Sequence, residues 1–220
     1  MNMTEESYLK RYADVYTANT SKKRIFLNRV VLNVLSKHRY RGLMLDVGSG
    51  PSEMLDDFRK LGYSYLGLEP NAHMLRRAKT DNPEIDIFRG IGQDLPIPSN
   101  SIEVVLMNML VHSLGSLWEF DLPVEEASRV LKRRGLLVVT MLRESKTKGL
   151  VKKWPQREDT RPKPIQFPVS FPNGPITLDA NYWPVESVSS ILTLCGFNVE
   201  YANLPFSPYV VMLGKKEKIK

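Results

Sequence analysis

The 220-residue chain is predicted to form a doubly wound α/β unit on a mostly parallel sheet. Short apolar runs at 43–45, 63–68, 85–88, 102–107 and 136–141 alternate with stretches of helical period. The run at 102–107 is apolar almost throughout, as a strand buried on both faces requires. Finally, Leu45-Asp46-Val47-Gly48-Ser49-Gly50-Pro51 sets two glycines one residue apart where the first strand must turn toward a helix.

Taken in order, residues 4–36 read as helical, in two pieces broken near 17–20, with an apolar stripe of Ile25, Val30, Val31, Val34 and Leu35. Ser52 is expected to cap a helix whose Met54, Leu55, Phe58 and Leu61 face the sheet, with Gly62 as terminator. Asn71 repeats that logic ahead of Met74 and Leu75. A helix is expected over 122–131, with Pro123 in its first turn, before the fifth strand. Beyond Leu142, six prolines between 155 and 175 interrupt any helical period, so 143–181 reads as a long irregular insertion. Pro184 then opens a helix reaching Gly196, and 197–202 and 209–213 form an antiparallel pair. No internal repeat is visible, and 1–220 reads as one domain with 1–41 as a helical cap.

The glycine turn is the candidate ligand site. Without a Cβ, Gly48 and Gly50 permit positive φ and let a ligand lie against backbone. Glu69 closes the second strand 19 residues after Gly50, where a carboxylate can hold ribose hydroxyls. Glu53 occupies the position at which a dinucleotide fold needs a small residue, which disfavours NAD or FAD. No lysine follows the turn, so it is not a phosphate loop. Asp46 would repel an anion and suits a cationic ligand.

The net charge of +7 is unevenly placed. Residues 1–44 carry nine Lys or Arg against three acids, and 141–164 eight against three, whereas 45–140 carry ten against fourteen. Basic segments around an acidic core suit an anionic partner, although no nucleic-acid module signature accompanies them. The lone Cys195 lies on an apolar helical face with Val188, Ile191 and Leu192 and reads as a packing thiol. The three histidines are too scattered to suggest a metal. With no signal-peptide pattern and no 18-residue apolar run, a soluble, cytoplasmic protein is expected.

These residues resemble the class I S-adenosylmethionine-dependent methyltransferases, and among them the methyltransferase type 11 group. Residues 45–51 are similar to the first motif of that family, and Leu68-Glu69-Pro70-Asn71 to its second. Residues 90–98 with Ser101-Ile102-Glu103-Val104-Val105 resemble the third, and 126–135 its Arg-Val-Leu-Lys-Pro-Gly-Gly segment. The likeness runs in order from about 42 to 139. It implies a Rossmann-like, seven-stranded, three-layer α/β/α fold, mostly parallel with an antiparallel C-terminal strand. It also implies S-adenosyl-L-methionine as cofactor, leaving S-adenosyl-L-homocysteine as product.

By the same resemblance the cofactor meets Asp46, Gly48, Ser49 and Gly50, then Glu69 and Pro70, then Gly92 and Gln93, and Asn108 after the fourth strand, with Tyr16 placed over it. Where the family often has an acid for the adenine amino group, this chain has Ile91, so adenine recognition falls to backbone near Gly92 and to Gln93 or Asp94. His112 lies in the loop that faces cofactor and acceptor in the family. As a neutral imidazole it would take a proton from the acceptor, or else bond backbone and shape the loop. Asn108 is followed by Met109 and Leu110, not by the Pro-Pro-Tyr used on amide nitrogens, and Cys195 is in the wrong element for cytosine carbon-5 chemistry. A small-molecule acceptor with a reacting O, N or C atom is expected, the basic segments suiting an anionic one, and 143–181 would cover the active-site mouth. Two other readings stay open: an RNA methyltransferase, and a non-catalytic protein of this fold that binds RNA or a partner through its basic surfaces.

Overall fold

The structure, a computed structural model, describes residues 10, 13–14, 22–38, 40–142, 163–169, 176–202, 204 and 209–216. Helix α1 (Lys22–Lys37) precedes strand β1 (Gly42–Val47). There follow α2 (Leu55–Lys60), β2 (Tyr63–Leu68), α3 (Ala72–Asp81), β3 (Ile87–Phe88) and β4 (Ile102–Asn108). A 3-10 turn (Leu110–Ser113), α4 (Leu117–Val130) and β5 (Leu131–Leu142) come next. Strands β6 (Lys163–Val169) and β7 (Ile176–Tyr182), helix α5 (Val185–Leu194), β8 (Phe197–Tyr201) and β9 (Tyr209–Lys216) complete the chain.

Seven strands form one sheet in the order β3-β2-β1-β4-β5-β9-β8. Strands β1 to β5 pair in parallel, while β9 runs antiparallel to both β5 and β8. Alternation along each strand splits the core into two layers. Leu45, Val47, Val105, Met107, Leu137 and Val139 pack with Phe120 and Val124 of α4 and Val188 and Leu192 of α5. Met44, Tyr65, Val104, Leu106 and Val138 pack with Val31 and Leu35 of α1, Phe58 of α2 and Ala78 of α3. Strand order reverses between β1 and β4, and in such sheets ligands bind at the carboxyl ends beside that reversal.

Several local expectations change. Ser52 does not cap α2: its φ is 56, Met54 holds the N-cap position, and no side chain caps that helix. Asn71 does cap α3, its Oδ1 accepting from the N–H of His73 and Met74. Helix α4 starts five residues earlier than its proline suggested, because Ser116 Oγ accepts from Glu119 N–H and Glu119 Oε2 takes the N–H of Gly115. Two further bonds thus fix the first turn, and Pro123 is carried inside. The proline-rich insertion contains a second, two-stranded sheet, β6 with β7. Pro164 and Pro168 are an even number of residues apart, so both backbone nitrogens can face away from the ladder.

Strand β5 begins with a bulge: Ile102 pairs with Leu131, yet Val104 pairs with Leu136. Arg134 takes φ 65 there, and its carbonyl accepts from Tyr40 Oη at 2.8 Å. A Cβ on Gly135 would stand 2.8 Å from Lys132 O, 2.9 Å from Leu131 Cδ2 and 3.2 Å from Glu103 O, and the two carbonyls, being backbone, cannot swing aside. Gly135→Ala is expected to cost ~1–3 kcal/mol, the range for forcing a methyl into a packed site. Urea unfolding checks this, and an unchanged midpoint would show that the bulge opens freely.

Candidate functional site

Strand β1 ends at the centre of the sheet, and the chain leaves it through Gly48 (φ 73) and Gly50 (φ 56). Both conformations are ones that side chains disfavour. The N–H groups of Gly48 and Ser49 donate to Leu68 O at 2.8 and 3.0 Å, tying the turn to the end of β2. Glu69 extends the tie. Gly50 N–H donates to its Oε2 and Asn71 N–H to its Oε1, each at 2.8 Å. Burial raises the Glu69 pKa, and the two N–H bonds oppose that rise. Each carboxylate oxygen accepts more than one bond, so the held carboxylate keeps capacity for outside hydroxyls.

The two glycines answer to different neighbours. A Cβ on Gly48 would lie 2.9 Å from Leu110 Cδ1, so the loop after β4 fills the side-chain direction at that position. Ser49 Oγ is buried, and a Cβ on Gly67 would stand 3.1 Å from it.

Asp46 lies in the sheet beneath the turn, 6% exposed. Tyr65 Oη stands 3.0 Å from both Asp46 Oδ2 and Ser52 Oγ. A carboxylate only accepts, so the phenol donates to Asp46 and takes the serine's hydrogen. Asp46 Oδ1 is buried and has no hydrogen-bond partner among the described residues. Burial pushes the Asp46 pKa up to about 7; the Tyr65 bond works against this and the charge of Glu69 adds to it. Two desolvated acids beside open backbone disfavour an anion and are compensated by a cation.

The other expected residues fall around this centre. Gly92 packs against the last residue of β1, since a Cβ there would meet Val47 Cγ1 at 2.9 Å and Pro123 Cβ at 3.1 Å. Gln93 is half-buried and Ile91 exposed. Pro70 is exposed and its carbonyl accepts from Arg89 Nε at 3.2 Å. Asn108 Oδ1 accepts from Thr140 Oγ1 at 2.6 Å, at the carboxyl end of β4. Tyr16 lies outside the described residues. His112 is buried, and its Nε2 accepts the Leu142 N–H at 2.8 Å. That nitrogen's lone pair is committed to backbone, so proton abstraction through it would require breaking the bond.

Sequence reasoning missed Tyr65, Thr140 and Trp183. Tyr65 was reachable, because the register pairs Asp46 with Gly67 and strand alternation then turns Tyr65 to the Asp46 side. Thr140 and Trp183 carry no local signal, since their partners are 31 and 72 residues away. Among the described residues no cluster of His, Cys, Asp or Glu could hold a metal, and no helix is long and apolar enough to cross a membrane.

Residues 45–139 match the family described as Methyltransferase domain. An uncharacterized methyltransferase of Mycobacteroides abscessus is 28% identical over 102 residues, which span 44% of this chain and 38% of that protein. The chain thus aligns with well under half the length of such relatives. Among solved structures, the PH0226 protein of Pyrococcus horikoshii superposes with a TM-score of 0.72 at 16% identity, covering 90% of this chain and 93% of that one. CalS10 of Micromonospora echinaspora, an amino pentose methyltransferase with S-adenosylmethionine bound, superposes at 0.64 and 16% identity over 98% and 99% of the two chains. At these identities the superpositions establish the fold.

The Asp46 environment has a pH signature. A carboxyl whose pKa is raised in the folded state binds more protons folded than unfolded, so its contribution is full below 3.8 and lost as pH rises through about 7. Ligand-free protein is therefore expected to lose stability over that window, and Asp46→Asn to lose less. Melting temperatures of both proteins across the window check it; a constant difference between them would show that Asp46 does not titrate there.

Proposed function

We propose that the chain, whose residues 45–139 match the methyltransferase-domain family, is an S-adenosyl-L-methionine-dependent methyltransferase acting on an O, N or C nucleophile of a small molecule. The observation that carries this reading is the pair of buried carboxylates, Asp46 and Glu69, flanking the glycine turn at the strand-order reversal. The residues present suit such a cofactor. Glu69, oriented by two N–H groups, has acceptor capacity for the two ribose hydroxyls. Asp46, with an orphaned buried oxygen, favours a cationic ligand. The loop at 90–93, drawn against Val47, supplies backbone and Gln93 for the adenine edge, with exposed Ile91 offering an apolar flank.

When bound, the cofactor would supply an electrophilic methyl on a sulfonium: the acceptor lone pair would form the new bond to that carbon in line as the carbon–sulfur bond breaks and its electron pair stays on sulfur. The protein's task is then to position both partners and exclude water. Asn108 and the 3-10 turn close the site on the β4 side, with Met109 N–H donating to both Thr140 O (3.2 Å) and Thr140 Oγ1 (2.9 Å). Because His112 Nε2 is committed to Leu142, the acceptor's proton is expected to pass to solvent, before the acceptor enters the closed site or after the methylated product leaves it. The basic stretch 141–164 supports an anionic acceptor, and the amino pentose named for CalS10 exemplifies a small acceptor on this fold. The 143–181 insertion is proposed to border the acceptor pocket.

Titration with S-adenosylhomocysteine by calorimetry tests the reading, and absence of heat at millimolar ligand would reject it. Glu69→Ala is expected to weaken this binding by ~1–3 kcal/mol, the range for losing a hydrogen bond to a charged group. An unchanged dissociation constant would remove Glu69 from the site.

A further inference from the structure

The short turn after β4 touches three things at once. Leu110 rests against Gly48 of the glycine turn. Val111 O accepts the indole N–H of Trp183 at 2.9 Å, and Trp183 is fully buried just after β7. His112 Nε2 accepts the N–H of Leu142, the last residue of β5. Leu142 and Trp183 are the two roots of the insertion that carries the β6–β7 hairpin. Consecutive residues 110, 111 and 112 therefore contact the candidate cofactor turn and both roots.

The turn is also held against relaxation. Met109 takes φ 61, a left-handed conformation that costs a non-glycine residue energy, and its N–H is bound twice by Thr140. Strain of this kind persists only where surrounding bonds enforce it. Leu110 also fills the space that a side chain at 48 would need, so a ligand settling on the glycine turn must press on the turn or be shaped by it.

We propose that residues 110–112 couple cofactor binding to the placement of the β6–β7 hairpin, with His112 and Trp183 as positioning residues. The proposal rests on the methyltransferase reading of the glycine turn. Its physical content is that a ligand pressing on the glycine turn also loads the two bonds that hold the roots of the hairpin. His112 acts here as a hydrogen-bond acceptor for Leu142 and takes no part in proton transfer.

Hydrogen–deuterium exchange of the full chain, with and without S-adenosylhomocysteine, tests it alongside calorimetry of the same samples. In the unaltered protein the ligand is expected to slow exchange at least threefold at the Leu142 amide and in peptides spanning 163–169 and 176–182. Trp183→Phe keeps the apolar contact but loses the indole donor, so it is expected to bind S-adenosylhomocysteine within about threefold of the unaltered affinity while losing the slowing in β6 and β7. His112→Gln, whose side-chain carbonyl can still accept from Leu142, is expected to preserve the slowing, and His112→Phe to abolish it; this pair serves if Trp183→Phe does not fold. Ligand binding without any change in hairpin exchange, or slowing that survives in both Trp183→Phe and His112→Phe, overturns the coupling and leaves the enzymatic reading intact. No binding by the unaltered protein overturns both.

Discussion

The bond from Gly50 N–H to the Glu69 carboxylate is the constraint on which the site depends. It joins the turn after β1 to the segment after β2, and the second oxygen of the same group holds the start of α3 through Asn71 N–H. One carboxylate thus sets three pieces of chain in register at the sheet's reversal point. Two charge-assisted bonds offset the cost of burying that charge. Nearby, among the described residues Asp46 has the Tyr65 phenol on one oxygen and no partner on the other, so its burial is less well compensated. The contrast separates the two acids: Glu69 organises backbone, and Asp46 keeps a buried oxygen without a hydrogen-bond partner among the described residues.

Around that centre the fold distributes its roles by layer. The helices behind β1 and β2 bury Phe58, which stacks with Tyr65 at a ring separation of 5.9 Å and so steadies the phenol on Asp46. The opposite layer, through Pro123 and Val47, confines Gly92 and with it the third loop of the site. Cys195 sits away from this chemistry, half-buried beside Asp121, where burial and that carboxylate push its thiol up to about 12. It behaves as packing.

Much of the framework was legible in the sequence because it rests on local rules. Strand β2 is found at Tyr63–Leu68 as its apolar run indicates, and Asn71 caps α3 because its side chain reaches amides only two and three residues away. What escaped depended on distant partners. Ser52 resembles a cap in sequence, but Tyr65, thirteen residues on, claims its hydroxyl. The prolines of the insertion suppress a helical period without forbidding an isolated hairpin, whose outer edges require no N–H. For His112 the residue type allowed either a proton-transfer or a loop-bonding role, and a backbone amide thirty residues away favours the second.

The paired glycines of the first turn carry two unrelated histories. Position 50 is kept small by its own left-handed backbone and its link to Glu69, whereas position 48 also makes room for a leucine arriving from another strand. A two-glycine signature in a chain of this kind therefore records a bargain between two loops as much as an appetite for ligand. Shortening the residue at 110 would remove the steric half of the demand at 48 and leave 50 untouched, so the two sites can drift independently as such domains diverge.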